Sequence, residues 1–106
     1  MVENGKKFDT NKPPMALLDS YALEEVAKVL AFGAEKYDPH NWRGGIKLSR
    51  LLSAALRHIF KFIAGKNEDE ETGLSPLAHA MCELMFALWM SKFRPDLDDR
   101  WKKEDN

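Results

Sequence analysis

A chain of 106 residues has room for one domain and not two. Its 16 Lys plus Arg nearly balance 17 Asp plus Glu, which argues against a binder of nucleic-acid polymers, because such proteins displace counterions with excess positive charge. No stretch approaches the ~18 uncharged apolar residues of a membrane span. The N-terminal residues lack a signal-like apolar run, and Cys82 as the single cysteine permits no intrachain disulfide, so a reducing, cytoplasmic setting is expected.

The sequence predicts one all-α domain over residues 1–106. It opens with an irregular arm over residues 1–14, where Lys12-Pro13-Pro14 blocks helix. A first helix is expected from about Ser20 to Tyr37, capped by Asp19 or Ser20, with Glu24 and Glu25 favouring its N-terminal end. Ala22, Val26, Val29, Leu30 and Gly33 supply its apolar face. Residues 38–46 carry Pro39, Asn41, Gly44 and Gly45 and read as a loop that also holds Trp42 and Arg43.

A second helix is expected from about Leu48 to Ala64, ending near Gly65. Leu48, Leu52, Ala55, Ile59 and Phe62 form its apolar stripe, with His58 beside it. Arg50, Ser53, Arg57 and Lys61 form a separate polar stripe. An acidic loop follows over residues 66–73. The third helix starts near Ser75-Pro76, with Ser75 as cap and Pro76 in the first turn, and stops before Pro95. Leu77, Met81, Leu84, Met85 and Leu88 lie on one face, and Phe86, Trp89, Met90 and Phe93 on others. A helix apolar on almost every side is buried on almost every side. The expected fold is therefore a small bundle of three main helices plus termini, completed by homo-oligomerisation into a dimer or tetramer. The charged tail, residues 96–106, is expected to be a short helix or disordered, with Trp101 as a docking point.

His79 and Glu83 carry the strongest chemical signal. Four residues apart, they share one helix face in an otherwise apolar segment. A buried carboxylate must be paired or lose its charge, and a divalent ion satisfies both residues; a histidine–glutamate hydrogen bond is the simpler alternative. Glu68, Asp69, Glu70 and Glu71 precede this helix, and oxygen-rich sites suit Mg²⁺ or Mn²⁺. His58 fits a ligand, a general base or a core histidine. Arg57 is a candidate phosphate contact. Lys36, Tyr37, Asn41, Trp42 and Arg43 combine aromatic plates, an amide and cations, as a nucleotide site requires; a loop pinned to the core by Tyr37 and Trp42 explains the same residues. No phosphate-cradling glycine loop and no nucleophile triad is present in the sequence. Metal plus carboxylates is the arrangement left for hydrolysis, activating water and offsetting charge on a phosphoryl oxygen.

Several blocks stand in order: Val29-Leu-Ala-Phe-Gly-Ala-Glu-Lys-Tyr37, Asn41-Trp-Arg-Gly44, Ala55-Leu-Arg-His58, Glu71-Thr-Gly-Leu74 and Leu77-Ala-His-Ala80. Together they resemble the phage and prophage dATP/dGTP diphosphohydrolase N-terminal domain family, which is similar in activity and architecture to the MazG-like all-α pyrophosphohydrolases. The resemblance spans roughly residues 8–92. It implies a helical bundle that oligomerises in the host cytoplasm and uses Mg²⁺ or Mn²⁺ to hydrolyse a nucleoside triphosphate, with a purine dNTP favoured, to monophosphate and pyrophosphate. On this chain the matching polar positions are Lys36, Tyr37, Asn41, Trp42, Arg57, His58, Asp69, Glu71 and His79; the expected assignment takes His58 and Glu71 as catalytic and sets Asp69, Glu71, His79, His58 and Glu83 around the metal. Lys36, Tyr37, Asn41, Trp42 and Arg57 would bind substrate. MazG-like enzymes hold metal through Glu-x-x-Glu and Glu-x-x-Asp pairs, yet here Ala27 and Lys28 stand three residues after Glu24 and Glu25. Either the shell is built differently, or the chain is a non-catalytic helical module that binds a nucleotide or a protein.

Overall fold

The computed structural model describes residues 2–102. Three helices dominate: α1 (Ser20–Lys36), α2 (Leu48–Ile63) and α3 (Pro76–Phe93). No strand occurs among the described residues, and none of their helices is long and apolar enough to cross a membrane. α1 and α3 begin where their sequence signals stand. Asp19 accepts a hydrogen bond from the Ala22 amide at 2.8 Å, and Ser75 Oγ accepts one from Leu77 at 3.1 Å ahead of Pro76. Gly65, at φ 100°, follows the end of α2.

α2 and α3 pack as an antiparallel pair, and α1 lies against α3. Leu48, Leu51, Ala87 and Met90 form the core between α2 and α3, with Trp42, Ile46, Phe86, Trp89 and Leu97 around it. The chain after α3 folds back as a strap. Arg94 donates to the Gly44 carbonyl at 3.3 Å, and Leu97 packs on the core. Asp99 accepts from the Ser49 amide at 2.8 Å and from its hydroxyl, so a residue fifty positions away caps α2. Trp101, expected to dock, is instead 87% exposed: the strap is held by Arg94, Leu97 and Asp99, and the indole finds no surface to bury.

Gly45 closes the contact between loop and strap. Its φ of 114° and ψ of 126° suit glycine alone, and a Cβ there would lie 2.9 Å from Arg94 Nη1 and 3.0 Å from Leu97 Cδ1. Gly45→Ala is expected to lower unfolding free energy by about 1–3 kcal/mol, read as a fall in the urea midpoint at unchanged slope.

The opposite side of the α2–α3 pair is uncovered. Leu56, Phe60 and Ile63 on α2 and Leu77, Met81, Leu84 and Leu88 on α3 are exposed, although all are apolar. Helical spacing puts them on the side facing away from His58, His79 and Glu83. The accessible area is 8893 Å², against about 6,100 Å² for a compact monomer of this mass. The radius of gyration is 17.8 Å, where about 13 Å is usual.

Candidate functional site

α2 and α3 each present a histidine where they cross. The His58 and His79 rings stack with centroids 4.7 Å apart and planes 14° from parallel. Glu83, one turn along α3 from His79, places Oε1 2.5 Å from His58 Nδ1. Ligand atoms of His58, His79 and Glu83 all lie within 4.8 Å of one another, and each residue is partly buried. His58 Nδ1 also lies 3.1 Å from the Ala54 carbonyl oxygen. A carbonyl can only accept, so Nδ1 is the donor, shared between the Ala54 carbonyl and Glu83 Oε1, and Nε2 is turned toward Asp69.

Glu83 Oε2 is buried and has no hydrogen-bond partner. Burial raises the pKa of this carboxyl, while the neighbouring His58 and Arg57 pull in the opposite direction. An orphaned buried carboxylate oxygen beside two imidazoles fits a divalent cation, since both donor types coordinate such ions in their uncharged-nitrogen and ionised-oxygen forms. Cys82 is buried next to them. Its thiol is pushed up to about 12 by burial and by Glu83, so it remains protonated and inert at neutral pH.

The acidic loop sends one carboxylate inward. Asp69 Oδ2 accepts from the Glu71 and Thr72 amides, each at 3.0 Å, in a turn tightened by Gly73 at φ 73°. That turn brings Asp69 to 3.7 Å from His58 Nε2 and 3.9 Å from His79 Nε2. Burial works to raise the Asp69 pKa, but the amides of Thr72 and Glu71, the nearby His79 and the Thr72 hydroxyl outweigh it and hold the carboxyl below its ordinary value. Thr72 Oγ1 stands 2.7 Å from His79 Nε2 and accepts from the Leu74 amide at 3.2 Å. Sequence reasoning missed this threonine; the Asp-x-x-Thr-Gly spacing was the available signal.

Glu71 is not brought into this group. It is exposed and pairs with Lys36 at 3.5 Å, linking the end of α1 to the loop. Glu70 is likewise exposed and pairs with Lys66, and Glu68 is exposed.

A cleft of about 540 Å³ opens beside His79 and Glu83. One wall is α1 around Leu30, Gly33 and Ala34; the other is Phe86 and Cys82 of α3, with Tyr37, His40, Asn41, Trp42 and Arg43 along the connecting loop. Trp42 pins that loop. Phe86 stacks on its ring with centroids 4.4 Å apart, and the Arg43 guanidinium lies over the ring at 4.3 Å. Two groups at those distances need opposite faces, so both faces of the indole are covered. Tyr37, by contrast, is 58% exposed at the cleft, and Asn41 is exposed too. Arg43 Nε donates to His40 Nδ1 at 2.9 Å, fixing His40 in a left-handed conformation at φ 64°. Arg57 is exposed on α2, one residue before His58 and close enough to act on Glu83.

Residues 2–100 match the family described as dATP/dGTP diphosphohydrolase, N-terminal. The chain belongs to that family. A relative named dATP/dGTP diphosphohydrolase, from Salmonella phage PMBT28, is 47% identical over 96 residues, covering 91% of this chain and 33% of the relative. The chain therefore spans about a third of that relative's length. No solved structure matches it. For this member of the diphosphohydrolase N-terminal family, the polar residues that converge are His58, His79, Glu83, Asp69 and Thr72, next to an apolar cleft.

Proposed function

We propose that this chain forms the metal-dependent centre of a (deoxy)nucleoside triphosphate pyrophosphohydrolase that releases monophosphate and pyrophosphate. The convergence of His58, His79 and Glu83 at the mouth of a nucleotide-sized cleft carries the reading. The relative's name, dATP/dGTP diphosphohydrolase, supports purine deoxynucleotides as substrates.

His58, His79 and Glu83 would hold a divalent metal ion, which would supply Lewis acidity toward a phosphoryl oxygen and acidify water. Asp69, which faces both imidazoles, would be the carboxylate that takes the proton of the attacking water. Thr72 fixes the His79 ring, and the Ala54 carbonyl fixes that of His58. Lys36 and Arg57 would neutralise the phosphates, with Glu71 aiming Lys36. Tyr37 and Asn41 would meet the base, and Trp42 holds the wall against which they work. The uncovered α2–α3 face would join that of a second copy into a four-helix core that covers its exposed apolar side chains.

The test is purified protein with Mn²⁺ and a panel of deoxynucleotides. Pyrophosphate and a monophosphate are expected in equal amounts, fastest from dATP or dGTP. A second reading, a nucleotide-binding module without turnover, is favoured by the 2.5 Å contact of Glu83 Oε1 with His58 Nδ1, which pairs two of the would-be metal donors with each other. Calorimetric nucleotide binding with the nucleotide intact after hours of incubation would select it.

A further inference from the structure

We infer that the His58–His79–Glu83 site selects a nitrogen-preferring first-row transition-metal ion, with Co²⁺ and Zn²⁺ the best probes, and discriminates against Mg²⁺. The inference rests on the proposed metal reading and narrows its cofactor class. Two of the three converging donors are imidazoles, with a ligand atom of each within 4.8 Å of the others. Mg²⁺ is hard, loses its water reluctantly and takes oxygen ligands; imidazole nitrogen favours the later ions. The oxygen donors that would suit Mg²⁺ are few here. Of the four carboxylates in the acidic loop, Asp69 alone approaches the histidines. Glu70 and Glu71 are turned outward and paired with Lys66 and Lys36.

The rings are also oriented in advance. His58 Nδ1 is bonded to the Ala54 carbonyl, and His79 Nε2 meets Thr72 Oγ1 at 2.7 Å. One nitrogen of each ring is thus engaged by the protein and the other is left over, the arrangement that fixes tautomer and ring direction in imidazole–metal sites. A site built for Mg²⁺ has no use for such an arrangement, because Mg²⁺ keeps most of its water and is held by one or two carboxylates.

The experiment is calorimetric titration of chelator-stripped protein with Mg²⁺, Mn²⁺, Co²⁺ and Zn²⁺ separately, with no nucleotide present. Affinity is expected to rise from Mg²⁺ through Mn²⁺ to Co²⁺ and Zn²⁺, with Co²⁺ at least about 100-fold tighter than Mg²⁺. Bound Co²⁺ should show visible ligand-field absorption that changes in His79→Ala. The milder Thr72→Val should cost about 10–100-fold in Co²⁺ affinity while circular dichroism stays helical. Mg²⁺ binding as tightly as Co²⁺, through Glu83, would overturn the selectivity and leave the proposed hydrolase standing. Failure of every ion to bind would overturn both.

Discussion

His79→Ala, His58→Ala and Glu83→Gln are each expected to lower pyrophosphate release by on the order of 10³-fold or more, the scale at which loss of metal or general acid–base help is felt. The three are expected to be non-additive, because each removes a donor from one shared centre. Glu83→Gln is the most informative, since the amide keeps the shape while removing the charge. The variant should unfold at a midpoint close to wild type without metal, because the amide oxygen can still accept from His58 Nδ1 while a buried charge with one unpartnered oxygen is removed. Glu71→Gln is the contrast. It breaks only an exposed pair with Lys36, weakened by solvent screening, and should cost less than about tenfold. Equal losses for Glu71→Gln and Glu83→Gln would move the centre away from the crossing of α2 and α3.

If the uncovered α2–α3 face joins two copies of the chain, Leu84→Glu is expected to leave a monomer. Leu84 lies mid-way along the uncovered face, flanked by Met81 and Leu88. If two copies meet there about a two-fold axis, one substitution places two carboxylates in the same apolar interface. Like charges and lost water cost several kcal/mol, so the dissociation constant should rise by at least about 100-fold. Light scattering after size exclusion should give 12.2 kDa for the variant and a multiple of that mass for the parent. The melting temperature of the parent should rise with protein concentration, and that of the variant should not. A parent that runs as a monomer at all concentrations would remove the interface.

The helices were legible because their ends are written in local chemistry. Asp19, the Ser75-Pro76 pair, Gly65 and Pro95 set boundaries that periodicity alone leaves loose, and the observed ends fall within about one residue of those expected. The all-round apolarity of α3 was legible too, and its exposed face is where that signal leads.

The acidic loop was harder. Four carboxylates in a row carry no periodicity, and what separates Asp69 from Glu71 is a turn in which a short side chain accepts the amides two and three residues on. A longer glutamate closes that turn less well, so the choice was present in the sequence as Asp69 followed by Thr72-Gly73. Trp42 shows the reverse difficulty. Its residue type suits base stacking, but only tertiary packing reveals that Phe86 and Arg43 occupy its faces. Trp101 was overvalued for the same reason: a large aromatic ring suggests an anchor, while the anchoring falls to Asp99 and Leu97.

The strap has a bearing on how the cleft opens. Residues 94–99 grip both the rim loop, at Gly44 and Gly45, and the first turn of α2, at Ser49. Trp42 sits between those two grips, stacked on the same α3 face that lines the cleft. Rim, helix start and strap are therefore one mechanical unit: widening the cleft from the Trp42 side requires peeling the strap away.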